Sequence, residues 1–165
     1  MTRFEGLRPF STRTTAAARG ASRKRDTKPE LALRRELWRL GLRYRLDARE
    51  LPGRPDIVFA GARIAVFCDG DFWHGRDLEA RLAKLEGGHN APYWTAKIAG
   101  NVARDRRNEE QLAAAGWHVM RFWESDIYES APAIAQQIRA AVGSRRQVRS
   151  RRSASRRLIR ATRAS

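Results

Sequence analysis

Two neighbouring apolar stretches decide the fold of this chain: residues 55–59, PDIVF, and residues 64–75, IAVFCDGDFWHG. The turn between them, around Gly61, predicts an antiparallel hairpin. Each apolar run also contains a carboxylate, Asp56 in the first and Asp69 at the end of IAVFCD in the second. An acid in a buried strand is costly unless it is paired, hydrogen-bonded or bound to a metal. Because two acids on adjacent strands repel each other, a divalent cation is their expected partner.

The segments around the hairpin predict three helices, a third strand and a short candidate strand at residues 44–46. Helices are expected over residues 27–40 and 92–115, from the capping residue or proline that opens each one. Residues 117–123, WHVMRFW, predict a strand, and Ser125 is expected to cap a last helix over residues 126–142. This order predicts an α/β fold in which a small mixed β-sheet is flanked by helices.

The charge of the chain indicates its class of partner. The 165 residues include 34 Lys and Arg against 18 Asp and Glu, a net charge of +16, and such a basic protein is typical of nucleic-acid binding. Residues 144–165 contain nine arginines and no acid, and removing them from the total leaves +7. We therefore expect a basic flexible arm at 1–25, one folded domain at 26–143 and a disordered Arg-rich tail at 144–165 that contacts phosphates.

Several other classes of protein are disfavoured by composition. A single cysteine, Cys68, can form neither an internal disulfide nor a thiolate zinc site. No apolar run approaches the length of a membrane span, and residues 1–25 lack the apolar segment of a secretory signal. A cytoplasmic, nucleoid-associated location is the expectation.

The chemistry of phosphodiester hydrolysis explains why these residue types would occur together. A metal must polarise the phosphate and activate water, and Mg²⁺ prefers carboxylate and carbonyl oxygens. Asp56 is the first candidate ligand, and the backbone carbonyl of Cys68 is the second. His74, on a loop five residues after Asp69, could act as a general base because its pKa lies near neutrality. Together with the charge, these residues predict a metal-dependent nuclease.

Each candidate also has an ordinary structural explanation. Asp56 fits a strand-end acid, and Asp69 precedes a glycine as in many turns. Glu30 follows the capping threonine by three residues and fits a capping box. Cys68 fits a small buried side chain, and His74 fits a surface histidine.

The aromatic residues leave two alternatives open as well. Phe72 and Trp73 follow the second strand, where they could pack in the core or form an apolar wedge between base pairs. Trp38, Trp117 and Trp123 are expected in the core.

Six blocks of sequence, in register, resemble the very-short-patch mismatch repair (Vsr) endonucleases, a branch of the PD-(D/E)XK nuclease superfamily. The blocks are DTKPE (26–30), LRYR (42–45), LPGRPDIV (51–58), GxFWH (70–74), YWxxKIxxNxxRDRRN (93–108) and GWxVxRxWE (116–124). The resemblance implies a restriction-endonuclease-like core at 26–143 that nicks duplex DNA beside a T·G mismatch with Mg²⁺.

The resemblance also implies roles for individual residues. Asp56 would bind the metal with the Cys68 backbone carbonyl, Glu30 would bind metal-ligated water, and His74 would be the general base. Asp69 stands where well-known members have a histidine and adds a carboxylate to the catalytic set. The DNA-binding residues would be the intercalating Phe72 and Trp73 and the mismatch-contacting Lys97 and Asn101.

One departure from the family concerns a structural zinc. Typical members hold it with three cysteines and a histidine, whereas the thiolate positions here are Asp71, Leu78 and Ser125, and the histidine position is Arg76. We therefore expect no structural zinc, and mismatch preference is the property that its loss would affect.

Three functions remain as hypotheses. The first is the Mg²⁺-dependent mismatch nicking enzyme, expected as a monomer with mismatch-repair proteins as candidate partners and no membrane. The second is a related nicking nuclease without mismatch specificity, and the third is a non-catalytic basic DNA-binding protein.

Overall fold

The computed structural model describes residues 26–71 and 91–162, and the elements follow the predicted order. They are α1 (Lys28–Arg39), β1 (Ile57–Phe59), β2 (Ile64–Asp69), α2 (Ala91–Ala114), β3 (His118–Trp123) and α3 (Glu124–Thr162). The predicted first two helices and all three strands are confirmed. The fold is α/β, a small mixed sheet flanked by helices.

The sheet has the order β1-β2-β3. β1 and β2 pair antiparallel, with Ile57 opposite Val66, which confirms the hairpin. β2 and β3 pair parallel, with Asp69 opposite Trp123. A parallel pair needs a long crossover connection, and α2 lies within that connection.

The two faces of β2 pack against different helices. Ile64 and Val66 belong to a core with the apolar residues of α1 and α3, among them Leu33 and Ile138, and Cys68 packs against it. Ala65 and Phe67, on the opposite face, pack with Leu112 of α2. Because side chains alternate along a strand, Asp69 lies on the face opposite Cys68.

The start of α1 is a capping box, as its sequence predicts. The Thr27 side chain accepts from the Glu30 backbone N–H at 3.4 Å, and the Glu30 carboxylate accepts from the Asp26 backbone N–H at 2.9 Å. Pro29, in the first turn, has no N–H that would be left unpaired there. This reciprocal cap fixes the position of Glu30 relative to the sheet.

The last helix differs from the prediction at both ends. It begins at Glu124, directly after β3, so Ser125 lies in its first turn, where the side chain donates to Asp71 Oδ1 at 3.0 Å. The backbone leaves helical geometry at Ser130, and Pro132 lies in the first turn after this break, where proline is tolerated.

The predicted end near residue 142 is wrong, because α3 continues to Thr162. Residues 144–162, expected to belong to a disordered tail, are helical in this structure. Arginine and alanine favour the helix, and Arg145 ties its beginning to the core through the Ala62 and Gly116 carbonyl oxygens, both at 2.9 Å.

Two smaller expectations are also corrected. Trp38 is 60% exposed rather than in the core, and the Arg43 guanidinium lies 4.2 Å from the centre of its ring. Residues 44–46 do not form a strand, although Arg45 makes an isolated antiparallel bridge to Val58. In residues 26–71 and 91–162, no helix combines the length and apolar character needed to cross a bilayer.

Candidate active site

Asp56 is held at the start of the hairpin by a bond to the neighbouring strand. The Asp56 backbone N–H donates to the Val66 carbonyl at 3.0 Å, and the Cys68 backbone N–H donates to Asp56 Oδ2 at 2.7 Å. This second bond crosses from β2 and orients the carboxyl group. Oδ2 therefore accepts a hydrogen bond from the protein backbone. Within the described ranges, no residue donates to Oδ1.

The surroundings of Asp56 disfavour its charge. Burial, together with the negative charges of Glu30 and Asp69, raises the pKa of the Asp56 carboxyl to about 7, although the Cys68 N–H and the Arg34 guanidinium act in the opposite direction. Glu30 and Asp69 are thus both close enough to Asp56 to disfavour its charge. Added positive charge would favour the ionised form of Asp56 at neutral pH.

Glu30 has both a structural and an electrostatic position. It is only 3% exposed, and its carboxylate accepts from the Asp26 N–H, from the Thr27 hydroxyl at 3.1 Å and from Arg34 Nη2 at 3.0 Å. These contacts satisfy the capping box that the sequence predicts. They also hold the charge of Glu30 close enough to Asp56 to raise the Asp56 pKa.

Asp69 is engaged by a partner that the sequence analysis did not identify. The Arg121 side chain of β3 donates to Asp69 Oδ2 from Nε at 2.6 Å and to Oδ1 from Nη2 at 2.8 Å. Arg121 Nη2 also lies 3.4 Å from Asp105 Oδ2 on α2. Asp69 therefore belongs to an ion-pair network on the α2 side of the sheet, whereas Asp56 bonds to Cys68.

A signal for Arg121 was present in the sequence. It is the one basic residue inside an otherwise apolar run, MRFW at 120–123, and a charge at such a position needs a buried partner. The Arg121 guanidinium also lies 4.7 Å from the centre of the Phe67 ring. The sequence does not identify the acid that pairs with Arg121, because the parallel register of β2 and β3 brings Asp69 to it.

The thiol of Cys68 has no ionised form near neutral pH. Burial raises its pKa, and the nearby charge of Asp56 raises it further. A neutral thiol is a poor ligand for a hard cation. Any contribution of Cys68 to the site must come from its backbone, whose N–H already orients Asp56.

The described carboxylates suit a metal ion that is bound by one or two side chains and by water, such as Mg²⁺, better than one that is bound entirely by protein side chains. Among the described residues, no group of three or more His, Cys, Asp or Glu side chains is arranged to hold a metal ion. Mg²⁺ commonly keeps several waters and is bound by only one or two carboxylates. Asp56, whose Oδ1 accepts no hydrogen bond from a described residue, together with the nearby carboxylate of Glu30, is compatible with that kind of site.

Two of the positions that resemble the family's zinc ligands contact each other directly. Ser125 Oγ donates to Asp71 Oδ1 at 3.0 Å, which joins the start of α3 to the segment after β2. A neutral hydroxyl is not a structural zinc ligand. The other two positions, Arg76 and Leu78, lie outside the described residues.

The predicted DNA-contacting residues fall in two places. His74, Phe72 and Trp73 lie outside the described ranges, so their positions stay predictions. Lys97 and Asn101 lie on α2, four residues apart and both half-buried, and therefore share one side of the helix. Lys97 Nζ lies 5.6 Å from the centre of the Tyr93 ring.

Comparison with known proteins identifies the family. The family profile "DNA mismatch endonuclease Vsr" matches residues 10–80. The type II nicking enzyme V.NmeDIP of Neisseria meningitidis serogroup C is 43% identical over 122 residues, which are 74% of this chain and 81% of that protein. This chain belongs to the Vsr endonuclease family.

Two further relatives agree with this Vsr assignment. The type II nicking enzyme V.HpaIIP of Haemophilus parainfluenzae is 39% identical over 77% of this chain and 89% of its own length. The DNA mismatch endonuclease Vsr of Escherichia coli is 39% identical over 61% of this chain and 62% of its own length. The chain is therefore a DNA endonuclease of the nicking type, and the hypothesis of a non-catalytic DNA-binding protein is wrong.

Proposed function

We propose that this endonuclease uses Mg²⁺ to nick one strand of duplex DNA beside a T·G mismatch. The observation that carries the proposal is the state of Asp56, a desolvated carboxyl group oriented by the Cys68 N–H and crowded by the charge of Glu30. The ionised form of this carboxyl group is disfavoured in the free protein, and a bound cation would stabilise it. Perturbed carboxyls of this kind are typical of functional sites.

Each residue of the proposed site has a separate task. Bound Mg²⁺ would supply positive charge at the scissile phosphate and lower the pKa of the attacking water. Asp56 would hold the ion through Oδ1, with the Cys68 carbonyl as a further donor. Glu30 would accept a hydrogen bond from a metal-ligated water, since α1 holds it rigidly beside Asp56. His74 would take the proton from the attacking water as general base.

Asp69 has a more limited part in this proposal. Its two carboxylate oxygens are occupied by Arg121, so it contributes negative charge near Asp56 without being a direct ligand. The sequence alone placed Asp69 in the catalytic set. We propose that it acts on the site only through charge and through the position of the end of β2.

We assign recognition of the mismatch to residues from two segments of the chain, residues 72–73 after β2 and two residues of α2. Phe72 and Trp73 would insert between base pairs, which unstacks and kinks the duplex. Lys97 and Asn101 would contact the mismatched pair from α2, where their shared side of the helix lets them act together. The E. coli relative is named a DNA mismatch endonuclease, which supports recognition of a mismatch as part of the activity.

A strand-cleavage assay tests the proposal. Labelled duplexes that differ only in one T·G or T·A pair are incubated with the enzyme in Mg²⁺ or in EDTA, and one nicked strand is expected only with T·G and Mg²⁺. Asp56→Asn keeps an acceptor for the Cys68 N–H but loses the charge, so nicking should fall by at least about 10³-fold while duplex binding persists.

The matched control is Glu50→Gln, because Glu50 is an exposed carboxylate in the same connecting segment, paired with Arg45 at 2.8 Å. It should nick at the wild-type rate. Nicking by Asp56→Asn within about tenfold of wild type would contradict the assigned ligand.

A nicking enzyme without mismatch specificity is the second candidate. The observation that favours it is the Ser125–Asp71 hydrogen bond, which stands where typical family members have zinc thiolates beside the proposed wedge. Equal nicking of the T·G and T·A duplexes, with Mg²⁺ still required, would establish this second function and reject mismatch specificity.

A further inference from the structure

The Arg-rich end of the chain extends from the core as a helix. Val142 is the last buried residue in the part of α3 whose side chains the structure describes, residues 124–151, and the helix continues to Thr162. At 1.5 Å per residue these 20 residues span about 30 Å.

Arg145 fixes the point from which this helix leaves the core. Its Nε donates to the Ala62 carbonyl and its Nη2 donates to the Gly116 carbonyl, both at 2.9 Å. These carbonyls belong to the two turns that precede β2 and β3. One guanidinium thus joins the helix to both turns. Its two bonds fix the direction in which the helix leaves the core, whereas a flexible tail would have no fixed direction.

This attachment lies at the end of the sheet opposite the candidate active site. β2 begins at Ile64, beside the Arg145 contacts, and it ends at Asp69, beside the residues that surround Asp56. Six residues of strand separate the two ends by about 17 Å. If a DNA duplex binds with its scissile phosphate at Asp56, the phosphates that contact the Arg-rich helix must therefore be other phosphates of the same duplex.

The arginines recur with the period of a helix. Positions 145, 149, 152, 156 and 160 follow one another at intervals of three or four, so they fall along one line of the helix. Arg146, Arg149 and Arg151 are exposed. No acidic residue follows Glu129 in the sequence, so residues 145–162 contain no carboxylate side chain of their own.

We propose that residues 145–162 of α3 form a second surface for duplex DNA, which contacts phosphates outside the nicking site. The inference rests on the proposed function only in that duplex DNA is the substrate. The surface contributes affinity and salt dependence, because arginine contacts to phosphate release counterions. It contributes nothing to the chemical step, because it lies at the far end of the sheet from Asp56.

The full-length protein with glutamine at six of the arginines tests the proposal: residues 149, 151, 152, 156, 157 and 160. Glutamine resembles arginine in helix propensity, so the helix is retained. The dissociation constant for a T·G duplex in EDTA should rise on the order of 100-fold near 0.1 M salt, and the slope of log K against log salt should fall by about 3 to 5. The matched variant with lysine at the same positions should bind within about threefold of wild type.

The anchor is tested separately with Arg145→Lys, which keeps the charge but cannot donate to both carbonyls with a rigid fork. Duplex affinity should fall about three- to tenfold although the net charge is unchanged. An Arg145→Lys affinity equal to that of wild type would show that the direction of the helix does not matter and would overturn the proposed surface.

Single-turnover nicking at saturating enzyme separates this inference from the proposed function. The glutamine variant should nick the T·G duplex with a rate constant within about threefold of wild type. A large loss at saturation, or unchanged duplex affinity, would overturn the second surface. So would a variant whose only loss is binding to duplex RNA or to anionic vesicles. If wild type itself fails to nick T·G, the proposed function is wrong, and the affinity comparison still decides the surface.

Discussion

Arg121 contacts both carboxylate oxygens of Asp69 diagonally across two parallel strands, at 2.6 and 2.8 Å. The register partner of Asp69 is Trp123, and that of Arg121 is Phe67, so the pair spans two positions of the ladder. The same guanidinium lies 3.4 Å from Asp105 on α2. One side chain thus joins β2, β3 and α2 next to the end of the strand that leads to the candidate site.

Removal of Arg121 should be strongly destabilising. Asp69 is 4% exposed, and Arg121→Gln would remove the two guanidinium bonds to its buried carboxylate, which costs about 3–5 kcal/mol. Urea denaturation measures the free energy of unfolding. In a double-mutant cycle, Asp69→Asn with Arg121→Gln should recover part of the loss, and strictly additive effects would contradict a coupled pair.

The stability of the metal-free protein should depend on pH through Asp56. Its pKa is raised to about 7 in the folded protein from an ordinary value of 3.8, so the folded state retains a proton that the unfolded chain has released. Stability in EDTA therefore falls as the pH rises from about 4 to about 7, and Asp56→Asn removes this loss.

The expected result is that Asp56→Asn is more stable than wild type at pH 8 by about 2–4 kcal/mol, and nearly equal at pH 4. Glu129→Gln, at an exposed carboxylate of α3, is the control and should change neither value. Addition of Mg²⁺ should stabilise wild type and not Asp56→Asn. An equal response of the two proteins to Mg²⁺ would contradict metal binding at Asp56.

Gly53 should tolerate alanine less well than Gly41. Both have positive φ, +75° at Gly53 and +71° at Gly41, so a side chain at either position would be strained. At Gly53 a Cβ would also lie 3.0 Å from Asn108 Nδ2 and 3.2 Å from Phe67 Cε1, whereas at Gly41 it meets nothing within 4 Å.

We expect Gly41→Ala to lower the free energy of unfolding by about 1 kcal/mol and Gly53→Ala by about 2–3 kcal/mol. Because Gly53 lies three residues before Asp56, its substitution should also weaken the thermal stabilisation by Mg²⁺. An equal loss in the free energy of unfolding at the two glycines would mean that Asn108 and Phe67 move away from a Cβ at position 53 without cost.

The capping and catalytic roles of Glu30 can be separated. Thr27→Ala removes the side chain that accepts from the Glu30 N–H, so it should cost about 1 kcal/mol of stability with little change in nicking at saturating enzyme. Glu30→Gln keeps the size of the side chain but loses its charge, and nicking should fall about 10–100-fold. Equal losses of nicking in the two variants would mean that Glu30 serves only as a cap.

Local patterns in the sequence were sufficient for most of the fold. The capping box fixed the start of α1, and the alternation along β2 placed Cys68 and Asp69 on opposite faces. The prediction failed where local pattern and tertiary contact compete. Trp38 is apolar, yet it covers the surface beside Arg43, and the end of α3 has few apolar residues, yet it is helical.

The candidate site divides in the same way. Asp56 and Glu30 were identifiable because each acid stands at a fixed distance from a structural signal, a strand in one case and a helix cap in the other. Arg121 was not assigned a partner, because residues 52 positions apart in the chain meet only through the parallel pairing of β2 and β3.

The sequence by itself determined which segments become helices and strands and that acids would stand at the end of a buried hairpin, since both follow from the periodicity of neighbouring residues. Only the tertiary structure decided that Asp56 accepts from Cys68 while Asp69 pairs with Arg121, because strand register and face are set by packing between distant segments. The same packing gives the Arg-rich helix its attachment at the opposite end of the sheet, through one guanidinium that bonds to two turns.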